Sequence, residues 1–153
     1  QSLDLLRRKV MGDQGAELTR LQDEIDAFCQ QQESNVALVS LLTPLLSVNA
    51  HWRSLAADIM QRSAQNSEEI GGCATDFMQF SAYALLAYAW ARMATVAAKR
   101  AQENPEDVEF YQAKIASARF YAERILPRAD MHRQVLQTPV DNLFGLTAEQ
   151  FVR

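Results

Sequence analysis

Two histidines, two cysteines and one arginine set among apolar residues are the groups of this chain best equipped for chemistry. A carboxylate-bridged metal centre in a helical bundle uses Glu-x-x-His pairs, which project from one helix face. The residues three before His51 and His132 are Val48 and Ala129, so neither histidine completes such a pair. Both are read as surface or capping residues. No Cys-x-x-Cys occurs, so the sequence lacks that zinc and haem-attachment spacing. Gly12-Asp13-Gln14-Gly15 and Gly71-Gly72 lack the spacing and the preceding strand of a phosphate-cradling loop. No serine stands in a Gly-x-Ser-x-Gly turn. Cys29 falls on an expected helix with no cation nearby. Cys73 comes after two glycines, in what reads as a loop just before a helix start, where a thiolate is favoured. Of the two, Cys73 is expected to be the exposed one. Arg92 lies near the middle of an apolar helix and must be paired or reach water. It is read as an ion pair with an acid of a neighbouring helix or as a rim position. The sharper alternative is a contact to another domain or a second subunit.

The helices that position these residues are plainest over 75–127. Phe77, Phe80, Ala84, Ala87, Ala91, Ala94 and Ala98 recur at steps of three and four, one continuous stripe of a helix. Most members are alanines, so a neighbouring backbone can approach closely. A second stripe of Tyr83, Leu86, Trp90 and Met93 lies on an adjacent face. That leaves a narrow polar strip of Ser81, Tyr88, Arg92, Thr95 and Lys99. A helix apolar over most of its circumference belongs inside a bundle. After the turn 102–107, Asn104 is an expected N-cap, Pro105 suits the first helical position, and Glu106 and Asp107 complement the helix dipole. Val108, Tyr111, Ile115, Ala118, Ala122 and Ile125 are the expected buried stripe, and Pro127 a kink or end. Arg119 and Glu123 read as a local pair. Tyr83, Tyr88, Tyr111 and Tyr121 read as core residues whose hydroxyls reach the edge.

The remaining segments are also helical. Ser2–Val10 is a short helix, broken at Gly12–Gly15. The next helix runs from Asp13 or Ala16 to Gln31, with Leu18, Leu21, Ile25 and Phe28 inward and Arg20 paired with Glu24 outside. A third spans Asn35–Gln65, with Leu41, Leu45, Val48, Trp52, Leu55 and Ile59 as its seam. Pro44 either kinks it, the reading favoured by a stripe that keeps phase across the proline, or the helix starts near Thr43 with Val36–Leu42 as a separate turn. Residues 66–73 read as a loop, and Thr75 as the cap of the fourth helix. Thr147 and Gln150 form an expected capping box, with Leu146 and Phe151 as its hydrophobic staple. With Val140, Leu143 and Phe144 this terminal helix is expected to dock on the bundle, a second subunit or other domains. No strand alternation and no internal repeat competes. The expected fold is all-α, a single up-and-down bundle over 1–153 with four main helices and short terminal helices.

At 153 residues the chain has the size of one domain. Its formal net charge of −4 and scattered cations speak against nucleic acid, which requires clustered positive charge. The single run of three cations, Arg7-Arg8-Lys9, reads as a solvated or interdomain face. Two cysteines are too few for a secreted disulfide scaffold and fit reduced thiols of a cytoplasmic protein. Phe77–Ala98 has about the length of a membrane span. Alanine dominates it, and Gln79, Arg92 and Thr95 interrupt it, so a buried bundle helix is expected instead. No signal peptide is visible. A start at Gln1, inside an amphipathic segment, reads as a fragment or a processed chain.

Several of these segments also carry a family likeness. Tyr88-Ala-Trp90-Ala-Arg92-Met93-Ala, Phe110-Tyr111-Gln-Ala-Lys114 and Ala118-Arg119-Phe120-Tyr121-Ala-Glu123-Arg124-Ile125-Leu126-Pro127 resemble the extra C-terminal helical domain of large bacterial acyl-CoA dehydrogenases. The resemblance is to the branch that includes the 3-methylmercaptopropionyl-CoA dehydrogenases. Gln1-Ser-Leu3-Asp4-Leu5-Leu6-Arg7-Arg8-Lys9 resembles the segment directly after the Tyr-Glu-Gly-Thr-type loop of that family. The resemblance covers nearly the whole chain. It implies that residues 1–10 end the preceding helical domain. It also places the catalytic glutamate and most of the FAD- and acyl-CoA-binding regions upstream of Gln1. No catalytic, cofactor-binding or metal residue carries over onto this sequence. The implied protein is an oxidoreductase of fatty-acid metabolism that turns acyl-CoA into 2,3-enoyl-CoA, with this chain as its structural and oligomerisation domain. Its partners would be the upstream catalytic domains and further copies in a dimer or tetramer. The alternatives are a free-standing interaction or dimerisation module, and a bundle that binds an apolar ligand between its helices.

Overall fold

The computed structural model describes residues 1–143 and 145–152. All regular structure among them is helical. The main helices are α1 (Ala16–Gln31), α2 (Val39–Ser63), α3 (Glu68–Glu103), α4 (Val108–Phe120) and α5 (Ala129–Leu136). A widened π turn at Asp4–Val10 precedes α1, and short 3-10 turns join or extend the rest. α3 is the axis of the fold. Its 36 residues extend about 54 Å, and α2, α4, α5 and the Asp4–Val10 turn all pack on it.

The alanine stripe explains why one helix can serve so many neighbours. Phe77, Phe80, Ala84, Ala87, Ala91 and Ala94 are all buried. The two phenylalanines supply area and the alanines let neighbouring backbones come close. The α2 seam is equally clear, since Leu41, Leu45, Val48, Trp52, Leu55 and Ile59 are all buried. α2 continues through Pro44. The cost is local, because the Ser40 carbonyl has no amide hydrogen at residue 44 to bond. In α1, Ile25 is buried, and Leu18, Leu21 and Phe28 pack partly buried against the core.

Several expectations need correction. Residues 68–73 are not a loop but the first turns of α3, so Thr75 caps nothing. Glycine here serves close approach. A Cβ on Gly72 would lie 2.3 Å from Val140 Cγ1 and 3.2 Å from Val140 Cβ. The expected polar strip of α3 is divided, since Ser81 and Tyr88 are buried whereas Arg92 and Lys99 are exposed. Conversely, Leu86 and Met93 of the expected second stripe are exposed. α4 lies at the edge of the bundle. Of its stripe only Ala118 is fully buried. Asn104 caps no amide of the following turn, and its Nδ2 donates backwards to the Arg100 carbonyl at 3.4 Å. Arg20 pairs with Glu17 rather than Glu24, and Glu24 accepts from Tyr88 Oη at 2.8 Å.

The chain breaks near Pro127 as expected. A π turn at Tyr121–Ile125 and a 3-10 turn at Leu126–Arg128 separate α4 from α5. The capping box also forms, and the Thr147 amide donates to Gln150 Oε1 at 2.8 Å. Its 3-10 turn, Ala148–Phe151, nevertheless stays undocked. Val140 is buried, but Leu143, Leu146 and Phe151 are 63%, 60% and 74% exposed. Phe144 and Arg153 lie outside the described residues.

Candidate functional site

The most elaborate polar site is a clamp where α2 ends, α3 begins and the chain returns after α5. Glu69, in the first turn of α3, is only 3% exposed. Its Oε2 accepts from Arg62 Nη1 at 2.8 Å, and its Oε1 accepts from the Val140 amide at 3.2 Å. Arg62 continues the network, donating from Nη2 to the Leu136 carbonyl at 2.6 Å and from Nη1 to the Thr138 carbonyl at 3.3 Å. Its Nε lies 3.1 Å from Asp58 Oδ2, but the alignment makes no hydrogen bond. A partly buried guanidinium bonded through both terminal nitrogens to a buried carboxylate and two carbonyls locks the closing segment to the helix pair. The Leu136 carbonyl is the last of α5, where a helix leaves its carbonyls without intrahelical partners, and Thr138 follows two residues on.

A second buried cluster joins α1 to α2. Asn49 is 1% exposed and donates both amide hydrogens, to the Gln22 carbonyl at 2.9 Å and to Asp26 Oδ1 at 2.7 Å. Arg53, one turn on, reaches Asp23 at 2.9 Å and Asp26 at 3.1 Å. Asn49 Oδ1, Gln22 Nε2 and Trp52 Nε1 are buried without hydrogen-bond partners among the described residues.

The groups singled out in the sequence are dispersed. His51 is exposed on α2. His132, on α5, is partly buried, with its Nδ1 2.7 Å from Asp76 Oδ1 on α3. Cys73 is buried, not exposed, because its segment is helical and covered. Its thiol is pushed up, chiefly by burial, with Arg62 opposing. Cys29 is buried as well, and burial pushes its thiol up to about 11. Neither thiol has thiolate character at neutral pH. Arg92 is exposed and forms no ion pair among the described residues, lying instead 5.5 Å from the centre of the Tyr88 ring. Arg119 and Glu123 form no salt bridge among the described residues. Burial, then the bond to Glu24, raises the Tyr88 hydroxyl. Tyr121 Oη donates to the Tyr83 carbonyl at 3.0 Å, and burial pushes that phenol up to about 12. Tyr83 and Tyr111 are partly buried. Arg7, Arg8 and Lys9 are exposed, with Arg8 bonded to Asp4.

Sequence reasoning missed the Arg62–Glu69 clamp and the buried Asn49. Glu69 carried no signal, standing in a polar run beside Glu68. Asn49 interrupts the α2 pattern between Val48 and Trp52, and its place on that inward face was the available clue.

Two grooves flank α3. One, of about 500 Å³, lies between α3 and α4, with Met93, Val96, Phe110 and Tyr111 as its apolar lining and Arg92 and Lys114 beside it. The other, of about 390 Å³, lies towards α1 and the Asp4–Val10 turn, among Leu5, Leu18, Leu21, Trp52, Phe77 and Leu85. Among the described residues no group of His, Cys, Asp or Glu side chains is placed to hold a metal ion. Among them, too, no helix is long and apolar enough to cross a membrane. The clamp and the Asn49 cluster hold α1, α2, α3 and the segment after α5 together.

Comparison with known proteins identifies the lineage. Residues 21–147 match the family described as "Acetyl-CoA dehydrogenase C-terminal like". The chain is 24% identical over 159 aligned positions to the broad-specificity linear acyl-CoA dehydrogenase FadE5 of Mycobacterium tuberculosis, an alignment covering 99% of this chain and 26% of that protein. The chain therefore spans about a quarter of the length of this curated relative. The family match takes in most of the bundle, from within α1 to beyond α5, and on that ground the chain belongs to the acetyl-CoA dehydrogenase C-terminal-like family.

Proposed function

We propose that this chain is the C-terminal structural domain of an FAD-dependent acyl-CoA dehydrogenase and is not catalytic by itself. Its role is to cover part of the catalytic domains of the same polypeptide and to contribute to subunit association. The carrying observation is the family match over residues 21–147, joined to a relative about four times longer that aligns with nearly all of this chain. The likeness of residues 88–94 and 118–127 to the 3-methylmercaptopropionyl-CoA dehydrogenase branch belongs to the same reading. So do a cytoplasmic location and a place in fatty-acid metabolism.

A flavin dinucleotide does not fit the residues present. Arg62 Nη1 and Nη2 and Asn49 Nδ2 are already bonded within the fold. Arg62 Nε, Gln22 Nε2 and Trp52 Nε1, which have no hydrogen-bond partner among the described residues, are buried and scattered over two clusters rather than convergent on one site. The α3–α4 groove offers only Arg92 and Lys114 over an apolar lining, not the convergent donors that a pyrophosphate and an isoalloxazine require. No step of the oxidation of acyl-CoA to 2,3-enoyl-CoA is derived through this chain.

The test compares the full-length polypeptide with residues 1–153 alone. The full-length protein is expected to hold FAD whose visible absorbance bleaches on anaerobic addition of a linear acyl-CoA. The isolated segment is expected to bind neither. Tight flavin binding or turnover by the segment alone would overturn the reading, as would a full-length protein that holds no flavin.

A further inference from the structure

α3 buries one face and leaves the opposite one bare. That face is apolar over the partly buried Met78 and the exposed Ala82, Leu85, Leu86, Ala89 and Met93. Leu85, Leu86 and Met93 are 42%, 50% and 43% exposed, although they lie on the helix around which the fold is built. The spacing of these residues, steps of four, three, one, three and four, reads the same in both directions. Their identities are mirrored as well. Met78 corresponds to Met93, Ala82 to Ala89, and Leu85 to Leu86.

We infer that this stripe is the contact face for a second copy of the chain, with the two α3 helices antiparallel and a two-fold axis between Leu85 and Leu86. The inference deepens the subunit-association part of the proposed function and rests on it. Two-fold symmetry places residue i of one copy level with residue j of the other, and j with i. A mirrored stripe satisfies that condition at every level. Methionine meets methionine at the ends, about 22 Å apart along the helix, alanine meets alanine between them, and leucines pack at the axis. The alanines let the backbones approach, and methionine adapts to the remaining space. A different domain seated on the same stripe would have no need of the symmetry.

Charge supports the same alignment. The start of α3 carries the exposed Glu68, and its end carries Lys99 and Arg100. The same register sets Glu68 of each copy level with Glu103 of the other, with Arg100 one turn away to stand between the two carboxylates. Glu103, at that end, is already held by Lys99 at 3.8 Å and by Arg100 at 3.4 Å. Arg92 falls level with Gln79 of the second copy, whose amide oxygen can accept from it. The helix dipoles also oppose each other favourably. Phe110 of α4, 58% exposed beside Met93 and Val96, widens the contact.

The test uses the full-length polypeptide. A Met78→Cys/Met93→Cys double variant is expected to give, on mild oxidation, a disulfide between residue 78 of one copy and residue 93 of another, identified by mass spectrometry of the joined peptides. Each single variant should give no link to itself, because its two copies stand about 22 Å apart, beyond disulfide reach. Cys29 and Cys73 are buried and do not compete. Leu86→Glu, at an exposed position, should leave the helical circular dichroism unchanged and shift sedimentation towards half the wild-type mass. The inference is overturned by a Met93-to-Met93 link in the single variant, or by unchanged mass in Leu86→Glu with no 78-to-93 link. A wild-type polypeptide that sediments as a monomer also overturns it, as does a Leu86→Glu protein that keeps its mass but releases this domain to protease. The flavin bleaching assay reads the parent proposal separately, so a failed cross-link beside intact acyl-CoA oxidation removes only the interface.

Discussion

Removing the Glu69 carboxylate would take from the Arg62 guanidinium, whose side chain is 17% exposed, the more deeply buried of its two charged partners. Asp58, 45% exposed and without a hydrogen bond to it, and the carbonyls of Leu136 and Thr138 remain, and they compensate only in part. Glu69→Ala is therefore expected to cost about 3 kcal/mol, read as a lower urea midpoint. Arg62→Leu/Glu69→Leu together should cost clearly less than the sum of the single changes, because neither charge is then stranded. Asn49→Asp probes the other cluster. The change replaces a donor with a carboxylate facing Asp26 Oδ1 and the Gln22 carbonyl. A loss of about 3 kcal/mol or more is expected by chemical denaturation, with Asn49→Ala costing less. Little of this was legible in the sequence. Arg92 stands out there as a cation among apolar neighbours, yet it reaches water at the surface. Arg62 looks ordinary, yet it closes the fold. A cation's importance depends on its burial and partners, and neither is a property of its immediate neighbours in sequence.

Each helix adds its own constraint. Gly72→Ala would press a methyl group into Val140, whose Cβ and Cγ1 both lie too near for a side-chain rotation to relieve. The expected result is displacement of the segment after α5, a cost of about 1–3 kcal/mol, and faster proteolytic cleavage within 138–152 at unchanged helical content. Pro44→Ala should act in the opposite sense. It restores the amide donor that the Ser40 carbonyl lacks, and an increase in stability of about 1 kcal/mol or more is expected from thermal unfolding. The existence and period of α1, α2 and α3 were readable, because stripes such as Leu41–Leu45–Val48–Trp52 repeat over many turns. Helix ends were less so. The Gly71-Gly72 pair signalled a loop by propensity, but the packing of Val140 on Gly72 favours a helix there. Asn104 and Pro105 marked a start correctly in place, though the first turn is 3-10 and the side-chain cap does not form.

The whole molecule should weaken in alkali. Cys29, pushed up to about 11, and Tyr121, pushed up to about 12, both keep their protons longer folded than unfolded. For groups with raised values, stability is fully present below the unfolded pKa and is lost as pH rises through the folded one. Stability is therefore expected to hold up to about pH 9 and to fall between about pH 9 and 12, by on the order of 1–2 kcal/mol for each group. Urea titrations across that range check it, and Cys29→Ala should flatten the lower part of the fall. A stripe such as Phe77–Phe80–Ala84–Ala87 already dictates a long helix with an apolar face, since helical periodicity is written into neighbouring residues. The all-α class and the four long helices come from such stripes alone. That Ser81 and Tyr88 turn inward while Leu85 and Leu86 stay bare depended on how the helices lie against one another. So did the meeting of Arg62 with Leu136, 74 residues away along the chain. Burial and pairing of this kind arise from contacts between distant segments, which no local spacing encodes.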